Sequence, residues 1–157
     1  MHITKYNINE FINGTIMNCS DNDIRGITHI DYIPEGITHL YCNNNELTEL
    51  PKLPESLMHL NCYNNQLTEL PKLPESLISL NCRNNKLTEL PILSESLTDL
   101  HCYNNQLTEL PKLPESLTHL YCRNNNQLTE LPNLPDSLIN LYCHNNQLTE
   151  LPKLPES

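Results

Sequence analysis

The segment SLMHLNCYNNQLTELPKLPE, residues 56–75, decides the fold, because close copies of it follow at residues 76–95 and 96–115. One cysteine marks the same position in each copy, and successive cysteines are 23, 20, 20, 20, 20 and 21 residues apart. The cysteines are Cys19, Cys42, Cys62, Cys82, Cys102, Cys122 and Cys143. A fixed period of this length predicts a solenoid of about seven turns, in which each turn shares its core with its neighbours.

The two longer spacings are predicted to be local insertions. One extra asparagine in Asn124-Asn125-Asn126 accounts for the last spacing. In the first spacing, the pattern of an apolar residue at every third position is one apolar residue longer than in the regular turns, with isoleucines at Ile24, Ile27, Ile30 and Ile33. We expect both insertions in a loop or on the outer side, where no inward-facing position is lost.

Each turn contains one short strand. Leu57, Leu60, Cys62 and Leu67 follow the pattern L-x-x-L-x-L-x-x-N-x-L, and Asn65 fills its asparagine position. Leu60 and Cys62 alternate with polar neighbours, which is the period of a strand with one buried face. Stacked turns would therefore pair these strands into a parallel sheet.

The outer wall of each turn is predicted to be extended. Leu67, Leu70 and Leu73 recur every third residue, and Pro71 and Pro74 interrupt them. Prolines at this spacing exclude a helix and favour a polyproline-like segment. The fold class is therefore a repeat solenoid, a horseshoe with a short-stranded parallel sheet on its concave side. Its convex side carries polyproline-like or 3₁₀ segments, with little α-helix.

One asparagine per turn is expected to have a structural role. We expect its amide to turn inward and satisfy backbone groups of the loop. The predicted column is Asn45, Asn65, Asn85, Asn105, Asn126 and Asn146.

The unit LPxLPxSLxxLxCxxNxLTE resembles the 20-residue leucine-rich repeat of bacterial effector proteins. The strand cysteine and the phrase NNQLTELP are closer still to leucine-rich repeat proteins of giant amoebal viruses of the mimivirus type. The resemblance covers residues 14–157 and implies protein–protein interaction. Effectors of this kind often add a helical N-terminal cap or a ubiquitin-ligase domain, and we expect neither here.

The ends of the chain differ from the repeat. Residues 1–13 are predicted to form an N-terminal cap or a degenerate first turn, and residues 14–157 form the array with no obvious C-terminal cap. The edge at Leu138, Leu141 and Cys143 is expected to be open. An open parallel edge can pair with another chain, so self-association there is a further prediction.

Charge and hydropathy exclude several function classes. The 157 residues carry 9 Lys+Arg against 19 Asp+Glu, a net charge of −10, which argues against nucleic acid as a partner. Neither a membrane span nor a signal peptide is evident, which favours an intracellular, cytoplasmic protein, in the host cytoplasm if the viral resemblance holds. One acidic column outside the strand comprises Glu49, Glu69, Glu89, Glu109, Glu130 and Glu150.

The concave face is where residue choice varies most between turns. Its three columns hold five of the seven tyrosines and two of the three arginines. Tyr and Arg are the residues most enriched at binding hot spots. A solvated sheet surface is the alternative interpretation. We predict a protein partner, and by the viral resemblance a host protein. The predicted contact residues are Tyr63, Arg83, Asp99, His101, Tyr103, His119, Tyr121 and Arg123.

Catalysis, metals and disulfides are the alternatives. Asp99, His101 and His119 could together hold a transition metal, but exposed histidine clusters usually hold none. We therefore predict no metal, no cofactor and no enzyme. An enzyme with a metal or ubiquitin-ligase-type site not evident in the sequence stays an alternative, as does a duplicated repeat protein with little independent function. The cysteines are expected to be a reduced, buried ladder.

Overall fold

The computed structural model of the protein describes residues 1–20 and 26–155, so Ile24, Glu156 and Ser157 lie outside the described residues. The described chain holds short strands and one 3₁₀ turn, Ile8–Phe11, and no helix in it is long and apolar enough to cross a membrane. The strands are His2–Ile3 (β1), Ile12–Asn13 (β2), Ile16–Asn18 (β3), His29–Ile30 (β4), His39–Tyr41 (β5), His59–Asn61 (β6), Ser79–Asn81 (β7), Asp99–His101 (β8), His119–Tyr121 (β9) and Asn140–Tyr142 (β10).

The predicted parallel sheet is confirmed. Eight strands hydrogen-bond in the order β10-β9-β8-β7-β6-β5-β3-β2, and all neighbours are parallel except the antiparallel pair of β2 and β3. The register matches the repeat, since Leu60 pairs with Leu40 on one side and Leu80 on the other. Seven parallel strands bound six complete turns of a repeat solenoid, and the sheet forms its concave side.

A continuous apolar core runs through the stack. The central leucine of each inner strand points inward, and Leu40, Leu80 and Leu100 are 0% exposed. The isoleucines that recur every third residue between Cys19 and Cys42 are also buried at the described positions Ile27, Ile30 and Ile33. On the convex side the leucines flanking the prolines complete the core through extended backbone.

The cysteine ladder is part of this core. All seven cysteines are free thiols, and all but the half-buried Cys143 are buried. Burial raises the pKa of the Cys19, Cys82 and Cys122 thiols to about 12. The thiols are therefore protonated at neutral pH and pack as small apolar groups, because only the thiolate is a nucleophile.

The inward asparagine column is confirmed at five positions and wrong by one residue at the sixth. The Asn65 Nδ2 donates to the carbonyls of Cys42 at 2.9 Å and Cys62 at 3.1 Å, and its Oδ1 accepts from the Leu47 N–H at 3.0 Å. Asn125 occupies the equivalent place and is 0% exposed, whereas the predicted Asn126 is exposed. The inserted residue therefore comes after the inward asparagine. The sequence could not show this, because Asn124, Asn125 and Asn126 are the same residue type.

The asparagine one position before the inward asparagine of each turn has a different role, which is to adopt a left-handed backbone conformation. Asn64 and Asn84 have φ angles of 58° and 54°, in the left-handed region that asparagine tolerates better than most residues. Their side chains link successive turns, since the Asn64 Nδ2 donates to the Asn44 Oδ1 at 2.9 Å. The doubled asparagine of the repeat thus supplies one residue for the turn and one for the buried ladder.

The two ends of the array differ in how they are covered. β2 lies against β3 at one edge of the large sheet, and β1 pairs in parallel with β4 in a separate two-stranded sheet. Ile3 and Ile8 join the core at this end and are 0% and 2% exposed. At the other end Leu138 and Leu141 are only partly buried, and Ile139 is 73% exposed.

Candidate functional site

The eight predicted contact residues all lie on the concave side. The first and third residues of strands β5 to β10 point away from the core and form two columns, and a third column is formed by the residue after the cysteine of each of these turns. Each of the eight is half-buried. β8 supplies Asp99 and His101, β9 supplies His119 and Tyr121, and the third column supplies Tyr63, Arg83, Tyr103 and Arg123. Their role in binding stays a prediction.

The third column is an alternating stack of tyrosines and arginines. The Arg83 guanidinium carbon lies 4.1 Å from the centroid of the Tyr63 ring and 5.6 Å from that of Tyr103. The Arg123 guanidinium lies 4.3 Å from the Tyr103 centroid on the other side. These are cation–π distances, so the rings hold both guanidinium planes in place.

Neither guanidinium pairs with an acid within the described part of the chain. The ion pairs found there all involve histidines. An arginine presents five N–H donors in a planar fork that fits a carboxylate. Arg83 thus lies between two tyrosine rings and Arg123 over one, and the donors of each fork can bind a carboxylate of a ligand.

The second column is aromatic over its last three turns. The rings of His101 and Tyr121 stack with centroids 4.2 Å apart, and Tyr121 stacks with Tyr142 at 4.9 Å. Asn61 and Asn81 occupy the same column in earlier turns, and their amide oxygens are buried without a hydrogen-bond partner in the described residues. The continuous aromatic stack of the second column therefore runs over β8, β9 and β10, separate from Tyr41 on β5.

The first column contains the carboxylate of the predicted contact set. The Asp99 Oδ1 lies 3.5 Å from the His119 Nδ1, and the Thr98 hydroxyl donates to the Asp99 Oδ2 at 2.7 Å. His101 does not join them as a third ligand, since its ring stacks on Tyr121. The three residues weighed as a metal set from the sequence are thus neighbours without forming a ligand cluster.

Burial affects the histidines of this face. The pKa of His101 is lowered from 6.5 by desolvation first, then by the charges of Arg83 and His119, while Asp99 acts in the opposite direction. The pKa of His59 is likewise lowered, by desolvation and then by His39. Both shifts favour the neutral imidazole at pH 7, and the permanent positive charges of the three columns are those of Arg83 and Arg123.

We expect His101→Gln to reduce the loss of stability on acidification. As pH falls below 6.5 the unfolded chain protonates this histidine before the folded chain does, because the folded pKa is the lower one. The free energy of unfolding therefore decreases with falling pH in that window, and glutamine removes this part. Urea titrations at about pH 7.5, 6.5 and 5.5 measure the effect. Equal pH slopes for wild type and variant would contradict the assignment.

A shallow depression of about 400 Å³ lies where the second and third columns meet. Sequence reasoning did not select two of its lining residues, Tyr142 and His144, although both continue the chosen columns by one turn. Periodicity alone could have extended the set to them. The depression is lined by Arg83, His101, Tyr103, Tyr121, Arg123, Tyr142 and His144.

A second cluster of polar groups lies at the N-terminal end, outside the predicted set. The His2 Nε2 is 2.6 Å from the Asp31 Oδ1, and the His29 Nε2 is 3.8 Å from the same oxygen. One ligand atom from each of the three residues lies within 4.8 Å of the others. The repeat period did not predict this cluster, because its first member lies in residues 1–13.

The chain is similar to known proteins of repeat architecture. A sequence profile described as Leucine Rich repeats (2 copies) matches residues 95–136. The structure of YopM from Yersinia enterocolitica WA-314 superposes with a TM-score of 0.82 at 36% identity, covering 89% of this chain and 35% of that one. The structure of YopM from Yersinia pestis, described as a leucine-rich effector protein, superposes with a TM-score of 0.76 at 42% identity, covering 80% of this chain and 36% of that one. No curated protein matches.

A third similar structure is the leucine-rich repeat domain of a Shigella effector, with a TM-score of 0.72 at 42% identity, covering 74% of this chain and 53% of that one. The chain thus spans about a third to a half of the structures that it matches. These findings support the resemblance to bacterial effectors. The resemblance to giant amoebal virus proteins stays a prediction from the sequence.

Proposed function

We propose that this leucine-rich repeat protein is a non-catalytic interaction module whose concave face binds an acidic segment of a partner protein. The single observation that carries the proposal is the pair of arginines in the third column: Arg83 lies between Tyr63 and Tyr103, Arg123 lies over Tyr103, and neither forms an ion pair with an acid in the described residues. The effector-like solved structures support a host-cell protein as the partner and the host cytoplasm as the location.

The charge distribution favours an acidic ligand at this face. The chain carries −10 overall, whereas the three concave columns hold two arginines against one acid, Asp99. A carboxylate-rich segment is repelled by the outer wall and attracted to the centre of the sheet, so the field selects the docking site. The same net charge disfavours nucleic acid, whose phosphates would meet the acidic column outside the strands.

The aromatic residues provide the contact area. The rings stacked from His101 to Tyr142 line one side of the depression, and the tyrosine–arginine column lines the other. Tyrosines contribute large contact area at small entropic cost, because they have only two side-chain torsions. Rings already stacked in the free protein need little reordering, which favours affinity.

The proposal is tested by affinity capture from an amoebal cell lysate with two charge-matched variants. Arg83→Gln/Arg123→Gln removes two positive charges from the concave face. Lys72→Gln/Lys112→Gln removes two from exposed positions of the outer wall. We expect a partner that the lysine variant retains and the arginine variant loses, with binding that weakens as salt rises.

Each variant is first shown to melt cooperatively, so that loss of binding is not loss of fold. A partner retained by the arginine variant, or lost equally by both variants, would contradict a concave acidic-ligand site. No observation in the described residues favours the alternative of an enzyme with a metal or ubiquitin-ligase-type site.

Self-association through the C-terminal edge remains a second part of the proposal. It is supported by the half-buried Leu138 and Leu141 and by the 73% exposed Ile139 beside β10. Parallel strands pair readily with an added strand at a free edge. The mass of wild type in solution, compared with that of Ile139→Lys, measures it. A concentration-independent monomer mass for wild type would contradict it.

A further inference from the structure

We propose that His2, His29 and Asp31 form a binding site for a divalent transition metal of the zinc class, which fastens the first strand to the solenoid. β1 and β4 are parallel neighbours whose register places His2 directly beside His29. Ile3 and Ile30 follow them into the core, at 0% and 2% exposed. The buried isoleucines therefore set the two imidazoles side by side on the outer surface.

The ligand geometry fits a small tetrahedral ion. Zinc bonds of about 2.0–2.2 Å to nitrogen and oxygen place neighbouring ligand atoms about 3.3 Å apart. The Asp31 Oδ1 is 2.6 Å from the His2 Nε2 and 3.8 Å from the His29 Nε2, so these distances bracket the required value. Sub-ångström movements of half-exposed side chains would admit the ion, and water would complete its coordination.

A fourth residue supplies the outer support that metal-binding histidines usually have. The Glu49 Oε1 lies 3.5 Å from the His29 Nδ1, the ring nitrogen opposite the one that faces Asp31. A carboxylate on the second nitrogen keeps the proton there and leaves Nε2 free to bind metal. This carboxylate–histidine arrangement is independent of the three ligands and indicates the same use of the site.

The cluster lies at a repeat position where this turn differs from the regular turns. His29 stands at the place that glutamate fills in the regular turns, as Glu49 does in the next turn. His2 extends the same column by its pairing with His29. Replacing two stacked acids by two imidazoles changes a repulsive column into a ligand set, and the two nitrogen donors exclude the oxygen-seeking ions Ca²⁺ and Mg²⁺.

The bound ion would act as a staple. It would join residues 27 positions apart in sequence and hold β1 on the outer wall, as the Thr28 N–H to Met1 carbonyl bond of 2.9 Å already does. Metal that binds only the folded chain raises its stability by mass action. We therefore expect zinc to raise the melting temperature and to slow amide exchange at β1.

Calorimetric titration of the tag-free full chain with zinc chloride, after dialysis against a chelator, tests the site. We expect one equivalent to bind wild type, and binding about 10–100-fold weaker or absent in His29→Asn and in His2→Asn. His39→Asn/His59→Asn is the matched control, because it alters a stacked histidine pair with centroids 4.4 Å apart on the concave face. This control should retain both the zinc equivalent and the rise in melting temperature.

Two results would overturn the site. One is zinc binding that is undiminished in His29→Asn, or that is lost in the control His39→Asn/His59→Asn instead. The other is a wild type that takes up no zinc, or whose melting temperature does not respond to it. Because His29 is half-exposed, His29→Asn without metal should melt as metal-free wild type does. Unequal melting would show that the residue serves the fold rather than an ion.

Discussion

We expect Leu100→Asp to abolish the cooperative thermal transition of the protein. Leu100 is 0% exposed and lies at the centre of β8, with Leu80 and Leu120 on either side in the ladder. Truncating a buried leucine alone costs about 2–5 kcal/mol. An unpaired buried carboxylate costs more, so the sum reaches the total stability of about 5–15 kcal/mol expected of a domain.

The solenoid makes this site especially sensitive. Each turn is stable only through its neighbours, so a charge in the middle of the stack separates the turns on its two sides. Circular dichroism during heating measures the effect, and Thr108→Asp is the matched control in the same turn. Thr108 is exposed, so its variant should stay within about 0.5 kcal/mol of wild type. A wild-type-like melt of Leu100→Asp would show that the inward and outward assignments are wrong.

We expect Asn125→Ala to destabilise the protein by about 3 kcal/mol or more, and Asn126→Ala to have almost no effect. The Asn125 Nδ2 donates to the Cys122 carbonyl at 2.9 Å and to that of Cys102 at 3.3 Å. Its Oδ1 accepts from the Leu107 N–H at 3.3 Å. Alanine leaves these buried backbone groups unpaired, at about 1–3 kcal/mol each.

The adjacent residue provides the control for this comparison. Asn126 is exposed, and the bond it accepts from the Gln147 side chain at 2.6 Å uses its backbone carbonyl, which alanine keeps. Urea unfolding of the two variants measures the difference directly. Equal losses of stability in the two variants, or a larger loss for Asn126→Ala, would contradict this assignment. They would favour Asn126, the residue predicted from the sequence, as the member of the inward asparagine column.

The repeat made the sheet predictable. The alternation of Leu60 and Cys62 with polar residues indicates which side chains face the core, and the 20-residue period places each concave residue beside its counterpart in the next turn. The columns of the candidate site follow from these two facts. Sequence could not show that the Arg83 guanidinium lies 4.1 Å from the centroid of the Tyr63 ring, because side-chain torsions depend on packing.

Features outside the period were beyond sequence reasoning. Residues 1–13 have no repeat, so the pairing of β1 with β4, which brings His2 to His29, left no periodic signal. The asparagine insertion shows the same limit on a smaller scale. Asn125 and Asn126 are the same residue type, and the structure distinguishes them by the burial of Asn125 and by its hydrogen bonds to Cys102, Cys122 and Leu107.

The central claim is that the concave face recognises acidic segments through its two stacked arginines. Selection from a displayed library of random peptides tests it most directly, with wild type, Arg83→Gln/Arg123→Gln and Lys72→Gln/Lys112→Gln as parallel baits. We predict peptides rich in Asp and Glu for wild type and for the lysine variant, and no such enrichment for the arginine variant. Acidic peptides enriched equally by the arginine variant, or no acidic enrichment by wild type, would contradict the claim.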